Sequence, residues 1–192
     1  MMRNAGRTAG ATAMTADLDP ALAARCQPIQ LLMLDVDGVL TDGRITYTAE
    51  GVEIKSFHVR DGSALAYWQR QGRQVAIVSG RTSKAVDVRA AELGVTHVRQ
   101  GVADKGLALR TILGATSLRP EQVCAVGDAL PDLPVLRACG LAVAVADACA
   151  EARAAAHYVT RAPGGRGAVR EVVELILRAQ GRWDAIVQSL RG

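Results

Sequence analysis

A chain of 192 residues that is 49% apolar, with no internal repeat, can bury one full-sized core, which excludes a disordered chain and a small disulfide-stapled module. The net charge of +4 divides into +1 over residues 1–28, +3 over residues 160–192 and zero between; a basic tail without interleaved aromatic side chains reads as a solvated helix, not a nucleic-acid face. Cys26, Cys124, Cys139 and Cys149 lack zinc-site spacing, no apolar run reaches membrane-spanning length, and Met1 to Thr15 has no hydrophobic signal core, so we expect a cytoplasmic protein with reduced thiols and neither nucleic-acid nor membrane partners.

In chain order, residues 1–25 are expected to be a flexible N-terminal segment ending in a short helix near Leu18 to Arg25. A single domain over residues 26–182 then opens with an apolar strand, Ile29 to Leu34, which runs straight into Asp35-Val36-Asp37-Gly38. Arg44 to Thr48 and Val52 to Val59 flank Ala49-Glu50-Gly51 and predict a projecting β-hairpin over about residues 44–59. Strands follow at Val75 to Val78, His97 to Arg99, Val123 to Val126 and Leu141 to Val145, with helices at Ser63 to Arg70, Ser83 to Leu93, Lys105 to Leu113 and Pro131 to Cys139. The last helix, Gly167 to Gln180, places Val169, Val172, Val173 and Ile176 on one face, and residues 183–192 read as a tail. Such alternation predicts an α/β fold, a Rossmann-like parallel sheet with helices on both faces.

Each strand end carries a residue suited to phosphoryl transfer. Asp35 is placed to attack phosphorus and Asp37 to carry a proton. A calcium loop counted from Asp35 would need an oxygen ligand at Val39, a Gly at Leu40 and a Glu at Thr46, three mismatches that disfavour calcium. Ser79-Gly80-Arg81 ends the second strand with a hydroxyl and backbone donors for a phosphate oxygen; Lys105 follows the third as a fixed positive charge; Gly127-Asp128 ends the fourth, with Asp128 placed to complete a magnesium site.

These four motifs in this order resemble the haloacid dehalogenase superfamily of aspartate-nucleophile phosphatases. Within it, Asp35 to Gly43, Val59-Arg60-Asp61-Gly62, Ser79-Gly80-Arg81, Val143 to Ala148 and Gly164 to Glu171 are similar to the 3-deoxy-D-manno-octulosonate 8-phosphate phosphatase family. The resemblance implies a magnesium ion on the Asp35 and Asp128 carboxylates and the Asp37 carbonyl, and an aspartyl-phosphate on Asp35. Ser79, Gly80 and Lys105 would bind the phosphate, and Asp132 would orient Lys105 or the loop. The sugar contacts it implies are Asp37, His58, Val59, Arg60, Asp61, Gly62, Arg81, Arg89, Lys105 and Arg166, and the substrate is a small acidic sugar phosphate of lipopolysaccharide precursor synthesis.

Only 41 residues separate Asp37 from Ser79 and 21 separate Lys105 from Gly127. Neither gap holds a cap domain, so the fold is expected to be capless, with a site open in the monomer and hairpins that associate in a homotetramer. Two positions depart from the resemblance. Ala129 stands where a second acid is usual, predicting weaker magnesium binding, and Ala66 stands where relatives often have a basic side chain. A nine-carbon sugar-acid 9-phosphate is therefore an alternative substrate. A catalytically weakened binding or assembly homologue and a phosphatase for macromolecules are further alternatives.

Overall fold

A computed structural model describes residues 18–190; the expected flexibility of residues 1–17 lies outside them. Helix α1 (Pro20–Cys26) starts on a proline, and the Asp19 carboxylate accepts the Leu22 N–H at 3.2 Å, capping a donor that has no partner within the helix. Leu22 and Cys26 are buried, so the core already begins in α1, inside the segment expected to be flexible.

Strand β1 (Leu31–Leu34) is buried at every residue, as a central parallel strand covered on both faces requires. The two-stranded hairpin of β2 (Thr46–Tyr47) and β3 (Glu53–Ile54) follows, then α2 (Val59–Arg70), β4 (Gln74–Val78), α3 (Lys84–Glu92), β5 (His97–Arg99) and α4 (Lys105–Thr116). The chain continues through β6 (Val123–Gly127), α5 (Leu133–Leu136), β7 (Leu141–Ala144), α6 (Ala150–Ala155), β8 (Tyr158–Val159), α7 (Ala168–Ala179) and α8 (Trp183–Ser189). The main sheet has the order β5-β4-β1-β6-β7-β8 and is parallel throughout. Helices α1, α2 and α7 pack together, as do α4, α5 and α6. The expected α/β class and flanked parallel sheet are therefore correct. The sequence reading lacked β8, whose two residues are too few to show a period, and α6, an Ala-rich run with no apolar stripe.

Two boundaries move for identifiable reasons. Helix α2 begins at Val59 instead of Ser63 because the His58 imidazole accepts the Arg60 N–H at 3.3 Å and caps the first turn. Val59, Arg60, Asp61 and Gly62 are thus helical, not a loop. The segment expected as a tail contains α8, with Trp183 and Ile186 buried. The Trp183 ring meets Tyr67 edge to face at 6.3 Å, and the Arg170 and Arg178 guanidinium groups lie over it at 5.8 and 5.6 Å. Helix α7 buries Val169, Val172, Val173, Ile176 and Leu177, the i, i+3, i+4, i+7, i+8 stripe of a helix lying on a core.

Candidate active site

The sheet register brings the functional residues to one edge. Leu34 of β1 pairs with Ile77 of β4 and Val126 of β6, so Asp35, Ser79 and Asp128 each emerge within two residues of the same level at the carboxyl ends of three adjacent strands. Carboxylate oxygens of Asp35, Asp128 and Asp132 all lie within 4.8 Å of one another. Lys105, at the first position of α4 and 6% exposed, donates to Asp35 Oδ1 and to Asp132 Oδ1, both at 2.6 Å. The other Asp132 oxygen accepts the Asp128 and Ala129 N–H groups at 3.0 and 3.1 Å. Asp132 therefore fixes both Lys105 and the loop that carries Asp128, and neither of its oxygens is left without a donor.

The backbone around Asp37 is built to let Asp128 approach. Gly38 has φ 96°, closed to most side chains, and a Cβ there would collide with the Asp128 carboxylate. A Cβ on Gly164 would strike the Gly38 carbonyl, so the loop before α7 lies directly on the Asp35–Asp37 turn. That use of Gly164 is packing, and its N–H is taken by the Asp147 carboxylate at 2.9 Å.

Electrostatics follow from this crowding. Burial raises the Asp35 carboxyl, the Lys105 charge opposes that and Asp132 adds to it, for a net increase. Asp128 is pushed up to about 7, by burial first and then by its Asp35 and Asp132 neighbours. Burial pulls the Lys105 ammonium down, yet the two carboxylates together outweigh it and raise the group. Three carboxylates facing one ammonium leave unbalanced negative charge. With Asp132 occupied, Asp35 and Asp128 are the pair with oxygens to spare, and hard oxygen donors of this kind suit a magnesium-type cation.

Ser79 is buried, with its Oγ accepting the Arg81 N–H at 3.1 Å, which leaves the hydroxyl proton to donate. Gly80 is exposed beside it. Apart from Asp37, Arg81 and Lys105, which lie at the Asp35–Asp37 turn, the expected sugar contacts separate into three places. His58, Asp61, Gly62 and Arg89 line a cleft of about 10 Å³, room for one water at most. Arg89 closes on Gly62, lies over the Phe57 ring at 5.9 Å and donates to Glu92 at 3.1 Å. Val59 and Arg60 are exposed on the first turn of α2, and Arg166 lies 3.9 Å from Asp42. Asp61 departs most from its expected role: it is 1% exposed, and its carboxylate accepts the Gly167 and Arg170 N–H groups at 3.2 and 2.7 Å. Facing inward, it anchors the start of α7.

Sequence reasoning missed the hairpin's own contribution. Lys55 forms an ion pair with Asp37 Oδ1, and Glu53 accepts from Arg81 at 3.0 Å. The site is thus partly covered by its own chain, where an open site was expected. The signal was present as alternation, because Glu53 and Lys55 share one face of the arm and Val52 and Ile54 the other. A cavity of about 590 Å³ lies elsewhere, lined by Leu22, Tyr158, Arg170, Glu171, Glu174 and Arg178 among others. There Glu171 is held by Tyr158 and Glu174 by Arg178, and no residue of the Asp35 cluster reaches it.

A parallel sheet presenting Asp35, Lys105 and Asp128 at one edge defines a hydrolase of the haloacid dehalogenase-like class, and the profile described as haloacid dehalogenase-like hydrolase matches residues 98–171. The chain is 48% identical to 3-deoxy-D-manno-octulosonate 8-phosphate phosphatase of Escherichia coli K12 over 161 residues, covering 84% of this chain and 86% of that one. The enzyme of that name from Moraxella catarrhalis, crystallised with magnesium, phosphate and KDO, superposes with a TM-score of 0.86 at 41% identity over 88% of this chain and 97% of the other. A cobalt-bound Haemophilus influenzae structure, named as a deoxy-D-mannose-octulosonate 8-phosphate phosphatase, gives 0.79 at 41% identity over 82% and 92%. The chain belongs to the 3-deoxy-D-manno-octulosonate 8-phosphate phosphatase family.

Proposed function

We propose that the protein is a magnesium-dependent phosphomonoesterase that hydrolyses 3-deoxy-D-manno-octulosonate 8-phosphate to the free sugar acid and phosphate, a step in lipopolysaccharide precursor synthesis. The observation that carries the reaction class is Lys105 bridging Asp35 and Asp132 at 2.6 Å, with Asp128 in the same cluster. The family supports the choice of sugar.

The Asp35 and Asp128 carboxylates and the Asp37 main-chain carbonyl would hold the magnesium ion. Bound there, it neutralises charge between the nucleophile and the phosphate dianion. Asp35 attacks phosphorus as the bond to the sugar oxygen breaks, giving an aspartyl-phosphate, and Asp37 delivers a proton to that oxygen. Asp37 then takes a proton from the water that hydrolyses the acyl phosphate. The Ser79 hydroxyl and Gly80 bind phosphate oxygens, and Lys105, fixed by Asp132, supplies positive charge as negative charge spreads over them. Arg81, at the Asp37 carboxylate, and Arg166, beside Asp42, are the cations suited to the sugar carboxylate and hydroxyls, and Val59 and Arg60 are exposed on α2, whereas Arg89, His58 and Gly62 would reach the sugar only if their water-sized cleft opened.

Exposed apolar residues on the hairpin support the homotetramer, with Val52 60% and Ile54 46% exposed. Four cysteines without disulfide partners support a reducing compartment, the cytoplasm. No helix among the described residues is long and apolar enough to cross a membrane.

Phosphate release from a panel of eight- and nine-carbon sugar-acid phosphates, with and without magnesium and beside Asp35→Asn, tests the reading. The eight-carbon 8-phosphate should be preferred and Asp35→Asn inactive. Activity surviving that substitution would remove the nucleophile; preference for the nine-carbon ester would fit Ala66 and change the substrate. Sedimentation as a monomer at micromolar concentration would remove the tetramer.

A further inference from the structure

The hairpin brings a charged cluster to Asp37 that the reaction above leaves without a role. Glu53 and Lys55 are two residues apart on one arm, and Tyr47 pairs directly opposite Glu53 in the β2–β3 register, so all three share a face. That face is turned toward the site. The Lys55 ammonium pairs with Asp37 Oδ1 and lies 3.4 Å from Glu53. Glu53 accepts from Arg81 at 3.0 Å, the Tyr47 hydroxyl lies 3.3 Å from the same guanidinium, and Arg81 Nε is 3.8 Å from Asp37 Oδ2. The Lys55 side chain is 1% exposed, so its charge sits out of water on two carboxylates, a placement tolerated only when the partners are well aligned.

The two Asp37 oxygens are consequently not equivalent. Oδ1 carries the lysine; Oδ2 has no hydrogen-bond donor among the described residues and is the oxygen left to carry a proton. We propose that Lys55 is a positioning residue for Asp37: by holding Oδ1 it fixes the carboxyl rotamer and presents Oδ2 to the leaving oxygen. The inference rests on the phosphatase reading. In the step concerned, the Asp37 Oδ2–H bond and the phosphorus–ester oxygen bond break while the Asp35–phosphorus and alcohol O–H bonds form. Lys55 keeps its protons throughout and receives a full carboxylate as hydrogen-bond partner once the proton has left. Glu53 holds Lys55 and Arg81 at once, so the hairpin sets the acid and a cation suited to the sugar together.

Leaving-group dependence tests this. kcat/KM is measured with magnesium for Lys55→Met, Lys55→Arg and wild type, on nitrophenyl phosphate, phenyl phosphate and the sugar phosphate. A nitrophenolate needs little protonation to depart and an alkoxide needs much, while a general acid is worth about 10²- to 10⁴-fold. Because only misalignment is introduced, Lys55→Met should lose about 10- to 100-fold on the phenyl and sugar esters and less than about 3-fold on the nitrophenyl ester. Lys55→Arg should restore most of the difference. In an Asp37→Asn background, Lys55→Met should add nothing further to the leaving-group dependence. Partial misfolding scales all three esters equally, so the ratio reports on positioning whatever the active fraction. Equal losses on all esters, or no loss, would overturn the assignment while leaving the phosphatase intact. A wild type inactive on every ester would remove the phosphatase reading and this inference together.

Discussion

Replacing Asp61 separates an anchor for helix α7 from a sugar contact. Its carboxylate accepts the Arg170 N–H at 2.7 Å and the Gly167 N–H at 3.2 Å, in a residue 1% exposed. These donors open α7 and have no acceptor within the helix. Leaving one buried donor unmet costs about 1–3 kcal/mol, and a carboxylate at a helix start contributes about 0.3–1 kcal/mol. Burial acts the other way, holding the Asp61 carboxyl above its ordinary range despite the two backbone donors, so the sum is reduced. Asp61→Ala should then cost about 3 kcal/mol, which for a chain of this size lowers Tm by about 6–12 °C. Asp61→Asn keeps one oxygen that can accept one of the two N–H groups, and should cost about half as much. Because the folded carboxyl binds its proton more tightly than the unfolded one, the stability wild type holds over Asp61→Asn is full below the ordinary carboxylate range and shrinks as pH rises through the folded value. Thermal melts across pH, with KM measured on the same preparations well below Tm, make the test. A variant melting within about 1 °C of wild type but with a raised KM would refute the reasoning and return Asp61 to the sugar site.

Three further outcomes follow from the same cluster. Asp132→Ala leaves Lys105 with one carboxylate and two backbone N–H groups without an acceptor, so stability should fall by about 3 kcal/mol and kcat more than KM, read by urea unfolding and steady-state kinetics. Ala129→Asp should restore a carboxylate beside Asp128 and raise activity at limiting magnesium by about 10-fold, within the range for partners of metal ligands; an unchanged magnesium titration would count against it. Asp128 lies at about 7 in the folded protein against an ordinary 3.8, so metal-free protein should lose stability as pH rises from about 4 to about 7, by roughly 2 kcal/mol once solvent screening of this part-exposed carboxyl and its sharing of the shift with Asp35 are allowed for. Magnesium binds the ionised form and should raise Tm more at pH 8 than at pH 5; an equal increase at both would refute the linkage.

What could be read from the sequence was whatever a strand end dictates. Asp35, Ser79 and Asp128 each follow an apolar run a few residues long, parallel register brings those three strand ends to one edge, and Lys105 opens the helix that follows the His97–Arg99 strand. For Asp132 it was the family resemblance that suggested orienting Lys105 or the loop, and the carboxylate does both. Residues whose direction depends on tertiary packing were not legible. Asp61 and Gly62 lie beside the cations of the motif, yet the chain turns Asp61 inward because α7 arrives there with bare N–H groups, and α7 is more than a hundred residues away in sequence.

The hairpin is the instructive intermediate case. Its existence followed from β-rich arms around Gly51, and its apolar residues pointed to association, but its charged face carries the contacts made within the chain. Short strands of two residues each cannot hold a fixed direction by backbone pairing alone, so the Lys55–Asp37 and Glu53–Arg81 contacts must themselves orient the arm. In a fold without a cap, that ties two tasks to one element: the face bearing Glu53 and Lys55 completes the acid–base site, while the opposite face, with Val52 and Ile54, stays available to a neighbouring subunit. A charge placed on Val52 or Ile54 should therefore weaken assembly without touching Asp37 directly, whereas loss of Lys55 frees both the carboxyl group and the arm.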